Sequence, residues 1–189
     1  MNLNEIKDGY TRVTEVLTPF SGLSNVPESV LNNAADRGCR VHAAIDSYIK
    51  GFGFFPEDDV INYMTSFYSW ADGKTFIDTP KRFYIDTPMK LTGECDSIYQ
   101  SDEGLVLVDF KTPAKEGKTW HLQGSCYSYM AKQAGLDIKR IEFVRVRKDG
   151  KPAIVYNYEE DWPSFELIYS VYDKYFRKKD NKDFGYEYL

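Results

Sequence analysis

The chain has 189 residues, 42% of them hydrophobic, and a formal net charge of −5. That length suggests one domain, perhaps with a short appendage, with room for a sizeable core and no need of staples. The composition excludes a disordered chain, and the acidic balance argues against a passive nucleic-acid coat protein. Three scattered cysteines, Cys39, Cys95 and Cys126, form no CxxC pair, which argues against a zinc ribbon and fits a reducing cytoplasm. No run of about 18 apolar residues is present to span a membrane, and the first residues carry no apolar signal-peptide core.

In chain order, residues 10–18 are β-rich and end at Pro19, and residues 20–26 read as a loop. Pro27 opens a helix over 28–50, with Ala34, Ala35, Gly38, Val41, His42, Ile45 and Ile49 on one face. Residues 57–73 form a second helix stopped by Gly73. Strands are expected over 81–86, 90–100 and 105–111, the last two joined by the turn Ser101-Asp102-Glu103-Gly104. A helix over 119–134 closes at Gly135. A strand over 140–147 then turns through Lys148-Asp149-Gly150-Lys151 into its hairpin partner, 153–158. An amphipathic helix covers 163–178, and the polar tail from Lys179 is expected to be loose. This order predicts an α/β fold, a central mixed β-sheet flanked by helices.

Asp96 and Asp109 are the informative pair. If 90–100 and 105–111 fold around the 102–103 turn, Asp96 opposes Asp109 and Glu94 opposes Lys111. Directly opposed residues have Cβ atoms about 4.5–5.5 Å apart, and like charges there repel. Asp109 also ends the apolar run Leu105 to Val108, the pattern of a buried central strand. Two such carboxylates need a shared proton or a cation, and hard oxygen ligands favour Mg2+ or Mn2+. Lys111 lies two residues on, hence on the same strand face. It reads either as a group that holds an attacking water and stabilises developing charge, or as an ion-pair partner of Glu94.

Four short motifs then occur in order: Arg37-Gly38-Cys39-Arg40-Val41-His42, Gly93-Glu94-Cys95-Asp96, Asp109-Phe110-Lys111-Thr112 and Gln123-Gly124-Ser125-Cys126-Tyr127. Together they resemble the helical histidine, GxxD, (D/E)xK and QxxxY motifs of RecB-like nucleases. That group belongs to the PD-(D/E)XK superfamily, which includes lambda-type phage exonucleases. The resemblance implies a restriction-endonuclease-like core over 1–189 and a divalent-metal-dependent deoxyribonuclease. Its implied metal ligands are Asp96, Asp109 and the Phe110 carbonyl, with His42 completing the set from its helix. Lys111 would position the attacking water, and Gln123 and Tyr127 would support the site or hold a phosphate. Taken alone, His42 on an apolar stripe reads as a satisfied core histidine, and Gln123 and Tyr127 mark only an amphipathic helix.

One departure is the absence of the further upstream acid that some members use for a second metal; here the strand reads Lys81-Arg82-Phe83-Tyr84-Ile85-Asp86, and Asp86 is a poor substitute. Three cysteines also exclude the four-cysteine iron–sulfur arrangement of some relatives. DNA is the implied partner, with a homo-oligomer or a single-strand annealing protein as further partners in phage-type recombination or repair. Its candidate contacts are Arg37 and Arg40 beside the histidine motif, and Lys115 and Lys118 in the loop after the catalytic strand. Arg145, Arg147 and Lys148 form a third basic group, and His121 is left to solvent or phosphate.

Overall fold

The computed structural model describes residues 6–53 and 56–177. The chain opens with a two-residue strand, β1 (Thr11–Arg12), followed by α1 (Val13–Leu17) and a 3-10 turn at Thr18–Phe20. The β-branched residues of 10–18 pointed to a strand, but Val13, Val16 and Leu17 follow helical spacing and are all buried. Tertiary burial of one helical face has overridden β propensity here. Next come α2 (Glu28–Ile49) and α3 (Asp58–Ala71), close to their expected limits. The exposed end of α3 is turned by Gly73, at φ +70°.

Strands β2 (Thr75–Phe76), β3 (Arg82–Ile85), β4 (Leu91–Glu94), β5 (Ser97–Ser101) and β6 (Gly104–Lys111) follow. Helix α4 (Trp120–Gln133) leads to β7 (Ile138–Arg145), β8 (Ile154–Tyr158) and α5 (Trp162–Tyr175). The Asp161 side chain caps α5 by accepting from the Ser164 amide at 3.2 Å. The strands form two sheets, β1-β4-β3 and β2-β5-β6-β7-β8. The larger is mixed: β6 and β7 run parallel, joined by the α4 crossover, and the other pairs are antiparallel. The fold is α/β, as expected. The polar tail from Lys179 lies outside the described residues.

The span 90–100 is one strand in the sequence pattern and two in the structure. It breaks at Cys95-Asp96, where the chain leaves the smaller sheet and enters the larger. The hairpin register is the expected one, with Ser97 opposite Val108 and Ser101 opposite Gly104. Glu94, however, belongs to the other sheet. It pairs with Arg82 across β3 and β4 and forms an ion pair with it, so the expected Glu94–Lys111 contact is corrected.

Side chains of β6 alternate between two cores, as the two-residue period of a strand requires. Val106, Val108 and Phe110 join α2 and α3, while Leu107 joins α1, α4 and α5. Asp109 shares the face of Leu107, so the sheet presents it to α4. This packing sets the site at the carboxyl end of β6, between α2 and α4.

Candidate active site

Asp96 sits in the break between β4 and β5. Its amide donates to the Val108 carbonyl at 3.1 Å, continuing the ladder for one more bond. Its carboxylate then takes over from the backbone: Oδ2 accepts from the Phe110 amide at 2.6 Å. In an extended strand the N–H and C=O of one residue point to the same side, so the Phe110 carbonyl also faces Asp96. On the other side, Asp96 Oδ1 lies 2.8 Å from His42 Nδ1 of α2. Burial pushes the Asp96 pKa up, but the charge and hydrogen bond of His42 and the Phe110 amide outweigh it and hold it below the usual range. Asp96 in turn raises the pKa of His42.

Asp109 is the strained member. It is 4% exposed, and its Oδ2 lies 2.6 Å from Lys111 Nζ. This contact is a buried ion pair, with the Lys111 ammonium facing Oδ2. Oδ1 accepts a long 3.4 Å bond from Gln123 Nε2. Burial pushes the Asp109 pKa up to about 6, opposed by Lys111 and reinforced by the charge of Asp96.

Gln123 ties the site together from α4. Its Oε1 accepts from Lys111 Nζ at 3.1 Å, and its Nε2 also donates to Tyr127 Oη at 3.0 Å. Burial, aided by the charge of Asp109, holds the Tyr127 phenol well above its ordinary pKa. Two aromatic rings unnoticed in the sequence complete the pocket of Lys111: Nζ lies 5.0 Å from the centre of Phe143 and 5.8 Å from that of Trp120.

The structure therefore brings His42, Asp96, Asp109, Phe110, Lys111, Gln123 and Tyr127 together. It does not assemble them as a ready metal cage: among the described residues, no three His, Cys, Asp or Glu side chains converge as a ligand group. Each carboxylate faces the nearest cationic side chain instead, Asp96 with His42 and Asp109 with Lys111. His42, expected as a ligand, holds Asp96. The donor set of two carboxylates and one carbonyl still suits a hard cation. Asp86 is exposed beyond Ile85, at the end of β3 remote from Asp96. At the near end stands Lys81, whose Nζ binds Asp46 of α2 at 2.8 Å.

The basic candidates separate. Arg40 is held by Asp36, Glu57 and Asp59 at 3.1, 2.7 and 2.7 Å, so its charge is answered within the protein. Lys115 and Lys118 flank a mainly apolar groove of about 880 Å³ that has Gln123 and Trp120 in its wall. Arg37 lines a separate groove with Arg145, Arg147 and Lys148. His121 is exposed, 6.4 Å from the Tyr158 ring centre.

No family model matches the chain, and no curated protein sequence matches it. Among solved structures, the crystal structure of SSO0001 is similar, with a TM-score of 0.51 at 16% identity, covering 89% of this chain and 77% of that one. At that identity the likeness shows a shared fold. No helix among the described residues is long and apolar enough to cross a membrane.

Proposed function

We propose that the chain is a metal-dependent deoxyribonuclease of the PD-(D/E)XK type, an exonuclease that hydrolyses DNA phosphodiester bonds. The observation that carries this reading is the Asp109 carboxylate, buried beside both Asp96 and the ammonium of Lys111. A buried carboxylate with a raised pKa next to a specific charge partner is a functional-site signature.

Asp96, Asp109 and the Phe110 carbonyl would hold Mg2+ or Mn2+, which supplies charge neutralisation and lowers the pKa of a water when bound. Lys111 keeps its Nζ at the reacting position by bonding to Gln123 and facing Asp109, where it can orient a water and stabilise charge building on the phosphate. Gln123 fixes Lys111, Asp109 and Tyr127 in one network. His42 fixes the Asp96 carboxylate, and the amide of Phe110 fixes its other oxygen. The reading extends to a cytoplasmic, phage-type enzyme of recombination or repair.

A time course with Mn2+ on end-labelled linear duplex, single-stranded and covalently closed circular DNA tests it. Release of label from linear DNA with the circle intact is expected. Cutting of the circle would make it an endonuclease on the same fold, and no cleavage of any substrate with Mn2+ or Mg2+ would overturn the reading.

A further inference from the structure

Arg37 and Arg145 are 108 residues apart in sequence but line one groove of about 400 Å³. It lies at the carboxyl end of the parallel β6–β7 pair, where ligands of α/β sheets tend to bind. Arg145 is the strand neighbour of Lys111, and the Val146 amide donates to the Lys111 carbonyl at 2.9 Å. Thr112 forms the β6 wall, and α2 brings Arg37 over it; a Cβ on Gly38 would stand 3.8 Å from Thr112 Oγ1.

Among the described residues, Arg37 and Arg145 of this groove have no carboxylate partner. Arg145 donates to the Ala114 carbonyl, and its Nε is buried without an acceptor. Arg37 Nε is likewise buried without an acceptor. The one carboxylate among the described residues of the groove, Asp149, is taken by Arg147 at 3.1 and 2.8 Å. Asp59, whose charge Arg37 influences, is gripped by both terminal nitrogens of Arg40 at 2.7 and 2.8 Å. Two guanidinium groups thus share a concave surface with no matching negative charge among the described residues, in a chain whose net charge is −5. Buried polar groups are normally paired, and guanidinium matches phosphate geometry.

We propose that the Arg37–Arg145 groove is a phosphate site that seats one phosphate of a nucleic-acid strand as the strand leaves Lys111. Naming the strand as DNA rests on the nuclease reading; the anion site stands on the groove itself. Lys148, exposed on the rim, adds to the attraction.

The test is binding in EDTA of a labelled single-stranded oligonucleotide to the full chain, with inorganic phosphate as competitor. Arg37→Gln is the main variant, since Arg145 also holds the loop at Ala114. Lys139→Gln, at the opposite end of β7, is the matched charge control. Arg37→Gln should weaken DNA binding by at least about tenfold and lower the salt slope by about 0.7, with an unchanged melt. Lys139→Gln should do neither. Arg145→Gln should act like Arg37→Gln, and their double variant should abolish competition by phosphate. Oligonucleotides with and without a terminal phosphate separate the two sources: a preference that disappears in Arg37→Gln assigns the site to a terminal phosphate, and equal binding assigns it to an internal one. If Arg37→Gln binds DNA and phosphate like wild type while wild type cleaves DNA, the groove is overturned and the nuclease stands. If wild type cleaves nothing yet needs Arg37 and Arg145 to bind phosphate, the groove stands and the nuclease reading falls.

Discussion

Gly93 lies against the ring of Tyr127: a Cβ built on Gly93 would stand 2.4 Å from Tyr127 Cε1 and 2.7 Å from Cδ1. The glycine of the GxxD motif thus makes room for the tyrosine of the QxxxY motif. Two short patterns about 30 residues apart in sequence are one packing contact. Gly93→Ala forces the ring aside or opens β4 from α4, and overpacking of this kind costs about 1–3 kcal/mol. It should also move Tyr127 Oη off Gln123 Nε2, now 3.0 Å away. Thermal melts and cleavage rates should both fall. Unchanged activity in a destabilised Gly93→Ala protein would show that the Tyr127–Gln123 bond does not hold the site.

The Asp109–Lys111 pair predicts a non-additive double mutant. Lys111→Met leaves a buried carboxylate without its cation, so it should melt lower than wild type in EDTA. Breaking a buried pair from one side costs about 3–5 kcal/mol, whereas removing both charges is often neutral. Asp109→Asn on the Lys111→Met background should therefore restore most of the stability. Neither variant should regain cleavage, which Lys111→Met alone should reduce by about 10²–10³-fold. Additive melts would show that the two charges do not interact, despite their 2.6 Å separation.

The sequence carries the β5–β6 register because turn residues and two-residue alternation agree, and a one-residue slip would turn Asp109 into the wrong core. It carries the α4 crossover for the same reason, a helical period between two apolar strands. It does not carry the break at Cys95-Asp96, since both halves of 90–100 read as strand and only the sheet partners differ. Glu94 therefore looked like a neighbour of Lys111 but bonds Arg82. The fate of Arg40 and of Arg37 was equally hidden. Both belong to the histidine motif, but two of the acids that neutralise Arg40 come from the start of α3, and Arg145, which lines the groove of Arg37, comes from the end of β7.

Asp46 predicts a pH dependence. It sits one turn after His42 and bonds Lys50 at 2.6 Å and Lys81 at 2.8 Å, tying α2 to the end of β3 nearest Asp96. Burial raises its pKa, but the two lysine bonds outweigh burial and leave it lowered. A depressed carboxyl stabilises the fold above its unfolded pKa of about 3.9, and that contribution disappears as pH falls through the lower folded value. Asp46→Asn should cost about 0.2–1 kcal/mol at pH 7, the range of partly exposed pairs. The gap from wild type should begin to narrow below about pH 4 and close once pH falls below the lower folded value. A gap as large at about pH 3 as at pH 7 would assign Asp46 to packing and not to charge.

Manganese should separate ligands from the residue that orients one. A metal that binds only the folded site adds about 2.7 kcal/mol of stability at 100 times its dissociation constant. Wild type should show that upward melt shift, and EDTA should reverse it. Asp96→Asn and Asp109→Asn should lose the shift at every concentration, because each removes an oxygen of the proposed set. His42 differs in position: its Nδ1 bonds Asp96 Oδ1 at 2.8 Å. Loss of such an orienting partner weakens metal affinity by about 10–100-fold without removing the site. His42→Ala should thus need correspondingly more Mn2+ and then recover the full shift. It should also melt lower than wild type in EDTA, since Asp96 loses the charge and hydrogen bond that oppose its burial. A His42→Ala protein that shows no shift at saturating Mn2+ would make His42 a ligand after all. A full wild-type shift in Asp109→Asn would remove Asp109 from the metal set, and with it the observation on which the nuclease reading rests.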